Sequence, residues 1–550
     1  MSEPTPLSRT PTSFSLRRTE TTSSLRRELS NTPSERDINA PIVEGTAEFP
    51  EEYTMETETG LVPQRSLREL RGTDSDELEK GDSSSGGEIE YVTFTINDPD
   101  NPHNWPTKTR WVYTLCATLT VVCVAFGSAC PAGAVNVIAR ELHVGPVPAI
   151  LSVSMMVIGF MLGPLLWSPL SEQIGRRPVY AVTMLIYVIF NIPCALAPNI
   201  GTMLVCRFLC GVFAASGLSN AGGTIADLWS IDERGTAIAF FAAAPYCGPV
   251  LGPIVSGWIA VGTDKFELVF WVNMAFAGFT TIVISLVPET YAPVILKHRA
   301  KKLRKETGNP NIMTEQEAKK ATMSDVIKEV LLRPLYLCAT EVILDLMNIY
   351  VVLVYALLYA FFFAYPVIFD ELYGYNDGII GLMFIPILIG AAFALCVTPW
   401  CEKKFKAICK VRKPTPEDRL LGAMIGAPFI PISLFILGAT SYKHIIWVGP
   451  ASSGICFGFG MVLVYYAVNN YIIDSYAKFA ASALAAKVFV RSGGGAAFPL
   501  FTTQMYKAMG LQWASWMLAF VALAMVAIPF GFFFFGARLR ARFVKVNYTE

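Results

Sequence analysis

The chain has 550 residues, 53% of them hydrophobic and 16% charged, with 44 basic and 44 acidic residues and a formal net charge of zero. A soluble globular chain carries about 25% charged residues, so this one is poor in charge for a soluble protein, and its zero balance gives no ground for a nucleic-acid partner. The shortfall is uneven: residues 1–108 are polar and the remainder is more apolar still.

The first residues contain no apolar run, so no signal peptide is expected. Residues 1–105 are rich in Ser, Thr, Pro, Glu and Arg and include the run Ser83-Ser-Ser-Gly-Gly87. Such a composition cannot bury enough apolar surface to offset ordering, which predicts a disordered tail. Asp98-Pro-Asp-Asn-Pro-His-Asn-Trp-Pro106 ends it, and Trp111 suits a membrane boundary. Most of the 12 cysteines lie inside apolar runs with no zinc spacing, so they read as small helix residues and no metal or cofactor is expected.

A membrane-spanning helix needs about 20 apolar residues. Candidates are Trp111–Ala132, Pro148–Ser168, Pro178–Ala197, Gly201–Ala226, Thr236–Ile259 and Leu268–Val287, then Ile343–Pro366, Ile379–Val397, Leu420–Leu437, Ile446–Val468, Ala480–Leu500 and Ala514–Gly536. The predicted fold is an all-α membrane protein of twelve transmembrane helices. Its parts are a tail (1–105), a first six-helix half (106–288), a central loop (289–341), a second six-helix half (342–537) and a C-terminal tail (538–550). Paired halves are a recurrent transporter layout; the repeat shows in the layout, not residue by residue. Basic residues gather at one face: Arg176, Arg177, Arg234, the cluster Lys297–Lys305, the run Lys403–Arg419, and Arg538, Arg540 and Arg542. The opposite loops hold only Arg140, Lys265, Lys443 and Lys507. By the positive-inside rule the basic face and both termini are cytoplasmic.

Ser168-Pro-Leu-Ser-Glu-Gln-Ile-Gly-Arg-Arg-Pro178 joins the second and third helices. Its Glu172, Gly175, Arg176 and Arg177 resemble the signature of the major facilitator superfamily of transporters at that turn, with Ser168 and Gln173 as departures. Arg207 is the clearest charge inside a helix, a functional candidate by default. In Arg207-x-x-x-Gly-x-x-Ala it resembles the family's fourth-helix motif, whose Arg is associated with proton coupling; Cys210 stands where Gln is usual. A guanidinium stays charged and cannot itself carry the proton; an alternative is a structural Arg bonded to backbone carbonyls. Asp227 falls about 30 Å further along the same helix, at the basic face. The resemblance implies that Glu172, Arg176, Arg177, Asp227 and Arg234 form a gating charge relay there. Gly248-Pro249 and Gly252-Pro253, with Gly257, resemble the antiporter motif of the fifth helix and imply close packing and a helix bend, with Pro253 replacing the usual second Gly. Asn101–Pro106, Gly163–Glu172, Pro288–Pro293, Tyr373–Gly378, Asp474–Ala486 and Arg491–Phe501 are similar to segments of the fungal twelve-helix drug:proton antiporters, a group that includes multidrug and polyamine exporters.

The substrate cavity is expected between the halves. Tyr355, Tyr359 and Phe362 share one face of the seventh helix, with Asn348 on the same helix and Tyr466, Asn469 and Asn470 on the tenth. Aromatics with a few amides suit flat amphipathic or cationic ligands. The first two helices contain no Asp or Glu, and Glu341 and Asp345 are the nearest acids of the second half; which group carries the proton stays open. No Gly-x-x-x-x-Gly-Lys-Ser/Thr loop is present, so an ion gradient must supply the energy, and no paired acids or His clusters suggest an enzyme. The reading is a monomeric plasma-membrane exporter of small amphipathic molecules in exchange for protons, with the vacuolar membrane as a second location. Its partners are the substrate, protons and the bilayer. The alternatives are a dedicated exporter of one metabolite, such as a polyamine or secreted secondary product, and a transporter-like nutrient sensor.

Overall fold

The computed structural model describes residues 61–63, 90–95, 97–230, 233–318, 332–412, 414–476 and 480–543. Most of the expected tail, residues 319–331 of the central loop and residues 544–550 lie outside the described residues.

Among the described residues eleven helices are long and apolar enough to cross a membrane: Thr107–Glu141, Pro146–Ile174, Arg176–Ala195, Ile200–Leu228, Gly235–Thr263, Glu267–Leu286, Val342–Tyr373, Asp377–Val411, Pro416–Thr440, Val448–Ser475 and Leu511–Arg540. The helix Ala480–Met509 completes the set of twelve. It is less apolar because it carries Lys487, Arg491, three consecutive glycines and several hydroxyls. These are the first to the twelfth spans in chain order, with Ala480–Met509 the eleventh. Most run a turn or more beyond their apolar windows, so their polar ends continue the helix past the apolar stretch.

Proline interrupts several spans. In the first, Pro131 sits in a 3-10 turn, Cys130–Ala134, between Thr107–Ala129 and Val135–Glu141. Proline has no N–H to give to the carbonyl four residues back, so the Gly127 carbonyl loses its helical donor. The fifth span instead stays helical through Pro245, Pro249 and Pro253.

Each half has its own core, and the second and fifth spans cross between them. Ile150, Val153, Val157, Ala242, Tyr246 and Val250 pack into the core of the second half. The rest of the first half closes around Met156, Phe160, Tyr187, Cys210 and Phe270.

The expected disordered tail differs at its end. Strand β1 (Leu61–Pro63) pairs antiparallel with β2 (Glu90–Val92), which pairs in parallel with β3 (Ile312–Met313) of the central loop. Val92 and Phe94 bury against Leu296 and Ala300 of the linker helix Ala292–Thr307. The averaged polarity of the tail hides these few apolar positions. Arg299, within the cluster assigned above to topology, grips buried Asp98 with both nitrogens at 2.5 and 2.9 Å and reaches Asp100 at 2.7 Å.

Burial would raise the Asp98 carboxyl, but the Arg299 hydrogen bonds and two backbone N–H groups hold it below its ordinary value. The depressed carboxyl contributes stability above the ordinary aspartate pKa of about 4, and the contribution is lost as pH falls through the lower folded value. Asp98→Asn is expected to cost this strap about 1.5–3 kcal/mol. Hydrogen exchange of residues 90–104 should accelerate in that variant at pH 7, and in the wild type only below about pH 4; unchanged exchange would mean that the apolar contacts hold the strap.

Candidate functional site

Arg207 is fully buried and bonded to backbone. Its Nη1 donates to the orphaned Gly127 carbonyl (2.8 Å), Nη2 to Ser128 O (3.1 Å) and Nε to Ser152 O (2.8 Å). The guanidinium lies 5.7 Å from the Phe270 ring centre. Of the two roles considered for it, its contacts are those of the structural one. Gly159 and Gly211 allow the approach: a Cβ on either would strike the backbone of the facing span.

The polar seam continues across the halves. The Ser128 hydroxyl bonds Tyr359 (2.7 Å), and Tyr359 bonds Tyr355 (3.4 Å). The Tyr355 ring lies 4.4 Å from the guanidinium of Arg491. Arg491 and Lys487, one turn apart on the eleventh span, are 1% and 2% exposed. Both face Tyr465, at 5.3 and 4.5 Å from its ring centre. The Lys487 amine donates to Asn469 Oδ1, and Tyr246 of the fifth span closes the cage edge-on to Tyr465 and Tyr355. Tyr355 and Tyr359 press on Gly495, where a Cβ would lie 2.8 Å from the Tyr355 ring. That approach explains part of the Arg491-Ser-Gly-Gly-Gly run.

Phe362 adjoins the seam, packing on Tyr359 and on Phe384 of the eighth span; the remaining expected cavity residues scatter. Asn348 is buried, and neither of its side-chain polar atoms is hydrogen-bonded. Asn470 donates to the Tyr466 carbonyl, and the Tyr466 hydroxyl donates to Glu402 near the basic face. Sequence reasoning passed over Lys487 and Arg491; two cations four apart within one spanning helix were the available signal.

At the basic face Glu172, Arg176 and Asp227 do meet. Arg176 is 7% exposed; its Nε lies 3.3 Å from Asp227 and its Nη2 3.9 Å from Glu172, while Nη1 donates to Ser171. Glu289, in the Pro288–Pro293 segment, was not anticipated: its carboxylate accepts from the backbone N–H groups of Arg176 and Arg177. Gly175 makes room with φ 106° and ψ 156°, backbone angles almost confined to glycine. The Arg177 side chain turns away to the Ser285 carbonyl, and the Arg234 side chain lies outside the described residues.

The second half repeats this cluster, a residue-level repeat that the sequence layout did not show. Arg419, at the start of the ninth span, lies 3.3 Å from Glu402 of the eighth and 2.9 Å from Asp474 of the tenth. Each half thus has an acid, an arginine and a second acid at the same three helix ends. The fifth span touches the second cluster, because a Cβ on Gly235 would lie 2.9 Å from the Glu402 carboxyl carbon. Further along that span, Gly248 and Gly252 seat the backbone of the first span and Gly257 seats Asp377 and Gly378 of the eighth.

The Major Facilitator Superfamily profile matches residues 117–499. The chain belongs to the major facilitator superfamily. Among the relatives of this facilitator, "Polyamine transporter 3" of Saccharomyces cerevisiae is 56% identical, covering 93% of this chain and 88% of its own. The Candida glabrata "Multidrug transporter TPO3" has the same identity and coverage. The proton:xylose symporter XylE superposes with a TM-score of 0.56 at 17% identity, over 78% of this chain and 97% of its own, and shares the fold. This facilitator is therefore a multi-pass integral membrane transporter, not an enzyme.

Two outcomes follow from the contacts. Arg207→Lys is expected to leave at least one of the three carbonyls unsatisfied, at a cost of about 1–3 kcal/mol, read as a lower thermal midpoint of the purified protein. A midpoint equal to wild type would remove the carbonyl cap from the stability of this half. Gly235→Val is expected to push Glu402 from Arg419 and loosen the contact between halves at the basic face. Reactivity of Cys401, 6% exposed, should rise at least threefold in a chain stripped of its other cysteines; unchanged reactivity would mean that this contact does not hold the face closed.

Proposed function

We propose that this protein is a proton-coupled exporter, an antiporter moving small amphipathic molecules out of the cell. It acts as a monomer in the plasma membrane, with both termini in the cytosol. The observation that carries this reading is the seam between the halves, where tyrosines and buried cations meet midway along the spans. A site between two packed bodies serves transport when each face opens in turn, and a ligand shifts that equilibrium only by binding the two states differently. The paired acid–arginine–acid clusters suit a gate: Glu402 and Gly235 bring the two halves into contact at the basic face. Support for proton exchange comes from the fifth-span motif, whose Gly248 and Gly252 seat the first span. The charge asymmetry supports the orientation.

A second reading, a dedicated polyamine exporter, is favoured by the name of the Saccharomyces cerevisiae relative. It would need carboxylates to receive ammonium groups, and Glu341 and Asp345 at the head of the seventh span are the nearest candidates. Proteoliposomes holding the purified chain separate the two. Under an imposed pH gradient, rhodamine 6G should accumulate at least tenfold, and a protonophore should abolish this. Accumulation of spermidine without rhodamine 6G would favour the polyamine exporter; indifference of both to the gradient would overturn proton coupling. Tyr359→Ala is expected to reduce the driven accumulation several-fold while the protein still reaches the membrane.

A further inference from the structure

Lys487 and Arg491 form a buried pair of like charges, and among the described residues no ion pair offsets them. They lie on one face of the eleventh span, where cations four residues apart repel each other. Glu341, the buried acid at the head of the seventh span, is bonded by the Tyr476 hydroxyl at 3.5 Å, and Glu402 and Asp474 are committed to Arg419. Arg491 cannot shed its charge. Its Nε and Nη1 are buried without a hydrogen-bond partner, and Tyr246 faces the same cage from the first half with its hydroxyl beside that guanidinium. By contrast, Arg207 has all three of its nitrogens on carbonyls. One buried arginine is thus complete, and the other has open donors beside an ammonium and faces aromatic rings.

We infer that the cage of Arg491, Lys487 and Tyr246 is a binding site for the carboxylate of a small organic monoanion, whose apolar body lies against Tyr355 and Tyr465. A guanidinium and an ammonium suit a carboxylate, and the anion would offset one of two charges that the surrounding spans leave unbalanced. Tyr246 belongs to one half and Arg491 to the other, so the ligand would bridge the parts that move during transport. The site rests on the exporter reading and adds organic acids to its substrates, although the relatives are named for polyamines and drugs.

The test uses the purified full chain in lipid nanodiscs and radiolabelled benzoate. Saturable binding is expected that benzamide and benzylamine, its neutral and cationic analogues, do not displace in 100-fold excess. Arg491→Gln should weaken it at least tenfold and Lys487→Met at least threefold. If Arg491→Gln does not fold, Arg491→Lys serves, since it keeps the charge and loses the planar fork; it too should weaken binding severalfold. Displacement by benzamide, displacement by equimolar chloride, or folded Arg491 variants within twofold of wild type would each overturn the site. The two readings fail separately. Benzoate that binds as described, with neither benzoate nor rhodamine 6G nor spermidine moved by a pH gradient, sinks the exporter and keeps the site. Gradient-driven movement of rhodamine 6G without benzoate binding does the reverse.

Discussion

A guanidinium within a membrane-spanning bundle cannot be neutralised, so leaving its donors unmet is costly, and the first half is arranged around meeting that demand for Arg207. Pro131 frees the Gly127 carbonyl, the break in the first span presents it, and Gly159 and Gly211 bring the second and fourth spans close enough for Arg207 to reach three carbonyls on two other helices. The same turn of the first span offers Ser128 to Tyr359. One buried charge thereby fixes three helices together and sets the starting point of the polar seam that reaches the second half.

Glycine plays the complementary part. At Gly248, Gly252, Gly257 and Gly495 the absence of a Cβ lets backbone or aromatic rings approach where any other side chain would collide. Close approach of backbones is a main source of helix association in a bilayer, where no hydrophobic force distinguishes a neighbouring helix from lipid. Charge then acts at the helix ends, where water and the polar boundary lower its cost. The acid–arginine–acid arrangement at Glu172, Arg176 and Asp227 recurs at Glu402, Arg419 and Asp474. In each half it ties together the ends of three helices, and the two clusters are built from helices at matching positions in the order of spans.

The twelve spans were legible because twenty apolar residues in a row have few other uses. The first charge cluster was legible because a short motif carries it. Its counterpart was not, since Glu402 and Arg419 are separated by a basic run whose charges serve topology, and spacing gives no hint that two of them face each other. Arg207 was recognised as an intramembrane charge, but whether carbonyls or a carboxylate receive it depends on how Pro131 bends the first span. Lys487 and Arg491 escaped notice because the stretch Ala480–Leu500 reads as one apolar run in which Leu484, Val488, Phe489 and Val490 outweigh two scattered charges. Tyr466 was placed in the cavity from helix membership, and its bond to Glu402 depends on a rotation that sequence does not specify.

The strap at the amino-terminal side of the first span bears on which parts can move as one. Asp98 holds Arg299, Glu289 holds the backbone of Arg176 and Arg177, Thr290 donates to Asp227, and Gln316 donates to the Glu172 carbonyl. Every one of these contacts fastens the central connection to the first six spans or to the segment leading into them. The helix Arg333–Thr340 instead lies against the eleventh span, with the Cys338 thiol 3.8 Å from the Ala486 carbonyl. The described residues up to Ala318 thus belong mechanically with the first half and those from Arg333 with the second, so the first body extends well past the end of the sixth span. A spectroscopic label on the linker helix would report the first half, and a pair of labels must straddle that division to follow the two halves rocking.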